Sequence, residues 1–175
     1  AGLYRAYAGG PLRGDFNYVN AIGEARGYYP SVPDYLVGAV KQKVGWSEPL
    51  GSLGQIPLFK RFYAGGTTSV RGFGRHALGP LDSDKDPIGG AKMYESSVEL
   101  RFPVYQEFGG VVFMDGGWVW LEDQDYDPDD VIYSGGFGIR YDTPIGPVSI
   151  DIGFPMTGQD DYNDPTFHFN IGNSF

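Results

Sequence analysis

The sequence lacks cysteine, long apolar runs and an excess of basic residues, and each absence excludes a class of structure or partner. Without cysteine among its 175 residues it has no disulfide framework. It has no run of about 18 consecutive apolar residues, which excludes a transmembrane helix but not a barrel of alternating transmembrane strands. The net charge of -9 argues against nucleic acid as a partner, because phosphate binding requires a basic patch.

Glycine and aromatic residues are abundant, which suits strands and tight turns better than helices. The chain has 28 glycines, and 16% of its residues are aromatic. Its length is sufficient for one domain with a substantial buried surface. Residue 1 is Ala rather than Met, so we expect either a mature product or a fragment of a longer protein.

Apolar residues with a period of two predict seven or eight strands. The clearest strand lies at the end of the chain, where large apolar side chains share one face: Phe167, Phe169, Ile171 and Phe175. Similar alternation, strict or approximate, predicts the other strands near residues 2–8, 15–28, 35–46, 95–102, 109–120, 133–141 and 148–154.

The connections alternate between short and long, which is typical of an up-and-down β-meander. The short ones cover residues 30–33, 105–108 and 143–146, and the long ones cover 47–91, 121–131 and 156–165. Short periplasmic turns and longer outer loops are the pattern of an outer-membrane barrel, with the C-terminus on the periplasmic side. The acidic runs in the long connections lack the glycine and final glutamate of an EF-hand, so we predict no metal site.

The polar face of the predicted strands leaves a soluble alternative open. It mixes glycine and serine with charged residues of both signs and one histidine: Glu95, Glu99, Arg101, Asp115, Arg140, Asp151 and His168. Such a face fits a wet or plugged lumen. It also fits the solvent side of a soluble barrel whose inner face is apolar.

The long connection contains Phe62-Tyr-Ala-Gly-Gly-Thr-Thr-Ser-Val-Arg-Gly-Phe73. This segment resembles the sixth outer loop of the BamA/TamA family of outer-membrane assembly and secretion barrels. Residues 113–117, 136–151 and 167–175 resemble the strands that follow it in that family, in the same order and spacing. The resemblance covers residues 57–175 well and the earlier part loosely, and it looks nearer to TamA than to BamA.

The resemblance implies an all-β fold in which residues 1–175 are the C-terminal half of a sixteen-stranded transmembrane barrel. The outer loop, near residues 47–91, would fold back into the lumen. There Val70, Arg71, Gly72 and Phe73 would lock the loop to the wall, with Arg71 on Asp115. A planar guanidinium binds a carboxylate through two parallel bonds, and the lumen shields the pair from bulk water.

The resemblance also assigns roles to the end of the chain. In the family, the seam between the first and last strands is thought to open toward lipid, which makes Gly172 a hinge candidate. The alternative is an ordinary small residue facing a crowded lumen. The alternating apolar residues resemble the C-terminal signal by which barrel precursors are recognised: Phe167, Phe169, Ile171 and Phe175.

The implied function is non-enzymatic: insertion of outer-membrane proteins, or translocation of secreted proteins, by lateral edge-strand templating in the bacterial outer membrane. The alternative is a small structural or adhesion-type outer-membrane barrel. A hydrolase is disfavoured, because the sequence has neither a nucleophile elbow nor a zinc-ligand spacing.

The resemblance implies several partners and no cofactor. They are outer-membrane lipids and lipopolysaccharide, unfolded β-barrel or secreted proteins, and a periplasmic or inner-membrane partner reached through POTRA domains. Eight strands closed alone would leave no room for the long loop. Because lipid does not tolerate unpaired strand edges, we expect an isolated fragment to dimerise through them or to remain an open sheet.

Overall fold

Antiparallel strands follow one another in a single sheet. The computed structural model describes residues 2–7, 18–32, 35–50, 56–144, 146–157 and 164–172. Within these residues the strands are β1 Gly2–Tyr7, β2 Tyr18–Val32, β3 Leu36–Pro49, β4 Lys92–Tyr105, β5 Phe108–Trp120, β6 Ile132–Thr143, β7 Gly146–Pro155 and β8 Thr166–Ile171. Each strand pairs with its sequence neighbours in the order β1 to β8. The predicted all-β, antiparallel up-and-down meander is confirmed.

Helical structure in the described residues is limited to two short 3-10 turns, Leu58–Lys60 and Pro128–Asp130. No helix in this part of the chain is long and apolar enough to span a membrane.

The largest differences from the predicted strand ends are at the C-terminal ends of β2 and β8. β2 continues through Pro30 to Val32, so the predicted turn at residues 30–33 begins too early. The pairing with β3 shifts register between Pro30 and Val32. Such a shift lets a strand include proline, which has no backbone N–H to donate. β8 ends at Ile171, before the predicted end at residue 175, and residues 173–175 lie outside the described part.

The two faces of the sheet have opposite environments. On the face covered by residues 56–91, here called the inner face, Glu99, Asp115 and Asp151 are each only 1% exposed. On the outer face, by contrast, Met114 is 49% exposed and Ile150 is 52% exposed. A soluble barrel would bury its apolar face, so the soluble alternative is wrong. Apolar outside and polar inside is the polarity of a transmembrane barrel wall.

The hydrophobic core of the described residues lies between the sheet and the described part of the connection from β3 to β4, here called the long loop (residues 56–91). Its buried cluster combines Met93, Val119 and Ile132 from the sheet with five loop residues: Phe62, Ala64, Val70, Phe73 and Leu78. Because most inner-face positions are polar or glycine, the sheet offers few apolar partners of its own. The loop therefore supplies most of this core.

We expect Met114→Arg to lower the free energy of unfolding of the full-length protein in lipid vesicles by about 2–4 kcal/mol. Met114 lies midway along β5 on the outer face, where an arginine would be placed in hydrocarbon. Denaturant unfolding measures the loss. Ser83→Arg, in an exposed part of the long loop, is the control and should change stability by less than about 0.5 kcal/mol. Equal losses in both variants would contradict lipid contact at Met114.

Candidate functional site

Backbone pairings within the long loop help to hold its shape. Isolated bridges join Phe62 to Gly90 and Ala64 to Leu78. Within the segment that the Ala64–Leu78 bridge closes, the Ser69 amide donates to the Gly66 carbonyl at 3.1 Å and closes a tight turn just before Val70. Gly66 has a φ of 108° and Gly72 a φ of 102°, which residues with a side chain rarely adopt.

Arg71 is fixed to Asp115 of β5 by three hydrogen bonds. Its Nε donates to Oδ2 at 2.7 Å and its Nη2 donates to Oδ1 at 2.9 Å, which is the bidentate geometry expected of a guanidinium on a carboxylate. The Arg71 backbone N–H also donates to Oδ2, at 3.0 Å. Arg71 is 3% exposed, so the pair is removed from water. The structure thus brings together the two residues that the motif indicated.

Further inner-face residues complete the surroundings of the Arg71 guanidinium. Glu99 of β4 lies 2.6 Å from its Nη1, and Asp151 of β7 lies 3.4 Å from the same nitrogen. Ser97 accepts from Nη2 at 3.3 Å, and the Phe113 ring stacks on the guanidinium with its centroid 3.6 Å from Cζ. One side chain of the loop therefore connects β4, β5 and β7.

Each carboxylate around Arg71 has a guanidinium of its own. Arg101 Nη2 lies 2.6 Å from Glu99, and Arg140 Nη2 donates to Asp151 at 3.0 Å. With Arg71 on Asp115, three guanidinium groups balance three carboxylates. Withdrawal of Arg71 would leave the buried Asp115 carboxylate without its cation, a state that proteins avoid.

The electrostatic surroundings keep Arg71 charged. Burial by itself lowers the pKa of this guanidinium, but the hydrogen bond and charge of Asp115 outweigh that effect. The charges of Glu99 and Asp151 add to it, so the pKa of Arg71 lies above its ordinary value. The pairing therefore persists at every pH at which the carboxylates are ionised.

The other motif residues fit against small residues of the wall. A Cβ built on Gly117 of β5 would lie 2.9 Å from Val70 Cγ2. A Cβ built on Gly153 of β7 would lie 2.3 Å from the Gly72 nitrogen. Phe73 is 1% exposed in the core cluster. The backbone of the loop thus lies directly on the sheet, which only glycine at these wall positions permits.

A second anchor joins the loop to β3 and β4. Lys41 Nζ donates to the Thr68 carbonyl at 3.0 Å. The Ser69 hydroxyl hydrogen-bonds to Glu95, which also pairs with Lys43 Nζ at 3.2 Å. None of these residues was predicted from the sequence as part of the site. Glu95 was on the predicted polar face, but its proximity to the loop was not visible in the sequence.

The predicted residues at the end of the chain lie apart from the Arg71 cluster. Phe167, Phe169 and Ile171 are on the outer face of β8, where each is at least 60% exposed. Gly172 follows the last residue of β8 and does not interrupt that strand, because its φ of 106° is not an extended conformation. Phe175 lies outside the described residues.

An apolar outer face, a charged inner face and a loop anchored to that inner face define a transmembrane barrel wall closed from within by its own loop. The model of the Omp85 superfamily domain matches residues 3–175. The chain therefore belongs to the Omp85 superfamily, and the predicted family is confirmed.

Bacterial relatives in this superfamily carry the name outer membrane protein assembly factor BamA. The protein from Nitratidesulfovibrio vulgaris is 28% identical over 98% of this chain, and the protein from Neisseria meningitidis is 27% identical over 76%. The chain spans about a fifth of their length, 22% and 21% respectively. These relatives confirm the predicted bacterial outer-membrane location but give no support to a closer resemblance to TamA.

A solved structure and an organelle protein extend the comparison. The crystal structure of BamA from Haemophilus ducreyi lacking POTRA domains 1–3 has a TM-score of 0.75 and 25% identity, covering 91% of this chain and 35% of that one. Outer envelope protein 80 of Arabidopsis thaliana chloroplasts is 30% identical over 69% of this chain and 16% of its own length.

Replacing Arg71 with alanine should lower the free energy of unfolding of the full-length protein by about 3–5 kcal/mol, because Asp115 remains buried without its cation. Arg71→Lys should lose less, since it keeps the charge but not the bidentate geometry. Denaturant unfolding in detergent measures both. Arg75→Ala removes an exposed arginine from the same loop and is the control. If Arg71→Ala is as stable as Arg75→Ala, the anchoring role is wrong.

Gly153→Ala should lift the loop from the wall without changing any charge. The new Cβ would lie 2.3 Å from the Gly72 nitrogen and 2.7 Å from the Arg71 carbonyl carbon, and neither backbone atom can move alone. Overpacking of about 1–3 kcal/mol should raise protease cleavage within the loop by about 5- to 150-fold. Gly109→Ala, also on the inner face, meets its nearest atom at 3.5 Å and should cleave like the wild type. Equal cleavage of the two variants would contradict the close approach.

Proposed function

We propose that the protein whose barrel wall these residues form inserts β-barrel proteins into the outer membrane. The observation that carries the proposal is the Arg71–Asp115 pair, which fixes the loop motif inside the wall of a chain related to BamA assembly factors. In this proposal Val70, Arg71, Gly72 and Phe73 form a lumen lock together with Asp115.

The work of the protein is non-enzymatic and depends on a strand edge. β8 has 6 residues, whereas β5 has 13, and within the described sheet β8 pairs only with β7. A short strand at an edge pairs weakly and presents unpaired backbone groups, which can template an incoming strand. The lateral seam of the complete barrel would then lie beside β8.

Features at the end of β8 support this role. Gly172 has a positive φ, and a Cβ built on it would meet no heavy atom within 4 Å, so it is suited to act as a hinge. Its amide donates to the Pro147 carbonyl of β7 at 2.7 Å, so a hinge motion at Gly172 would have to break this bond. The outer-face residues of β8, with Phe175, would form the C-terminal signal by which barrel precursors are recognised.

The partners follow from the exposed surfaces. The outer face would contact outer-membrane lipids and lipopolysaccharide, and the edge of β8 would receive an unfolded barrel protein as substrate. POTRA domains, as in the family, would connect the complete barrel to a periplasmic or inner-membrane partner. Residues 1–175 alone would expose both β1 and β8, so we propose that the isolated chain dimerises edge to edge.

The test is the insertion of a reporter β-barrel protein into vesicles that contain the full-length protein. We expect Arg71→Ala to slow insertion by about tenfold or more, because loss of about 1.4 kcal/mol already has that effect. Arg75→Ala is the control. Correct folding of each variant is checked first by its heat-dependent mobility in electrophoresis.

Three outcomes separate the classes of function. Slow insertion by a folded Arg71→Ala variant supports the assembly role. Normal insertion with impaired export of a secreted protein would contradict it and point to a transporter of the same family. Normal insertion and normal export would leave a structural or adhesion-type barrel, in which Arg71 only stabilises the fold.

A further inference from the structure

The last described strand contacts the loop motif through polar side chains on the inner face. His168 Nε2 lies 3.3 Å from the Gly72 backbone nitrogen, and His168 Nδ1 lies 3.1 Å from Thr67 Oγ1. Two positions earlier in β8, Thr166 Oγ1 donates to the Gly72 carbonyl at 3.0 Å. β8 thus binds both the N–H and the C=O of Gly72, immediately beside Arg71.

These contacts define the protonation state of the imidazole. A backbone N–H can only donate, so His168 Nε2 must present its lone pair to Gly72. The ring proton then resides on Nδ1 and is donated to Thr67 Oγ1. His168 is only 7% exposed, and its ring borders a cavity that Thr67 also lines. A doubly protonated ring would direct an N–H at the N–H of Gly72 and break that bond.

We propose that His168 is a positioning residue that ties β8 to the long loop, and that it does so only as a neutral imidazole. The inference rests on the proposed function in treating β8 as the seam strand. In addition, we propose that docking of the loop on the wall and ordering of β8 occur together, as one coupled equilibrium. Release of the loop then loosens the seam, and protonation of one ring releases both.

The charged groups around His168 come from several elements. Asp151 faces it directly across the β7–β8 pair. Arg71 from the loop and Asp115 from β5 are the other charges that act on the ring, while a cavity of about 520 Å³ beside it is lined by more distant titratable groups: Lys43, Arg75, His76 and Glu95. Asp151 already binds Arg140 at 3.0 Å and Arg71 at 3.4 Å, so it is a poor substitute for Gly72 as a partner.

Hydrogen–deuterium exchange of the full-length protein in detergent tests the coupling, at one pH about one unit above and one pH about two units below the ordinary histidine pKa of about 6.5. After correction for intrinsic rates, protection of peptides covering residues 64–78 and 166–171 should fall together by about tenfold at the lower pH, as expected for one net hydrogen bond. His168→Gln can still offer an acceptor to Gly72 and should remain protected at both pH values. His168→Leu should lose protection at both.

His76 provides the matched control, because it is the other histidine of the chain and stacks on Tyr63 with ring centroids 4.5 Å apart. His76→Gln should keep the wild-type pH dependence. The proposal is overturned if the wild type is equally protected at both pH values, if His168→Gln retains the pH dependence, or if only one of the two peptides responds. Because exchange is measured without a substrate, such a failure is distinct from a failure of reporter insertion.

Discussion

The buried pairing of Arg71 with Asp115 is the interaction on which the rest of the structure depends. A guanidinium that is 3% exposed must be matched by carboxylates, so the inner face has to carry charge. The outer face of the sheet takes most of its apolar residues, as in a transmembrane barrel wall, so the sheet has little apolar surface inside. The long loop then supplies most of the hydrophobic core, including Val70 and Phe73, which lie on either side of Arg71 in sequence. Charge and packing are thus satisfied by one segment.

Glycine on the wall is the geometric counterpart of this electrostatic constraint. Three strands present glycine where the loop approaches most closely: Gly45, Gly117 and Gly153. Any side chain there would push the loop away, and the short bonds around Arg71 would lengthen together. A bidentate ion pair tolerates little displacement, so the smooth inner surface is a condition for the pairing. The abundant glycines therefore have a second role besides forming turns. Those on the inner face of the wall provide the surface on which the long loop packs.

Most of the fold was predictable from the sequence. The alternation of apolar and polar residues that marks a strand is a local property, and the alternation of short and long connections indicated an up-and-down meander. The Arg71–Asp115 contact was predictable only through family resemblance, since 44 residues separate the partners. The contacts of Glu99 and Asp151 with Arg71 were not, although their inner-face parity was visible. The alternation along a strand predicts which face of the sheet a side chain lies on. It does not predict which strands contact the same loop residue. The contact between His168 and Gly72, across 96 residues, is beyond any sequence pattern.

The position of the loop in the chain has a consequence for the order of folding. Every wall residue that holds Arg71 is made after it: Glu99 on β4, Asp115 on β5 and Asp151 on β7. The complete set of contacts around Arg71 can therefore form only when at least three later strands are in register, and contacts so distant in sequence form slowly. The geometry of this ion-pair network thus depends on correct pairing of the strands from β4 to β7.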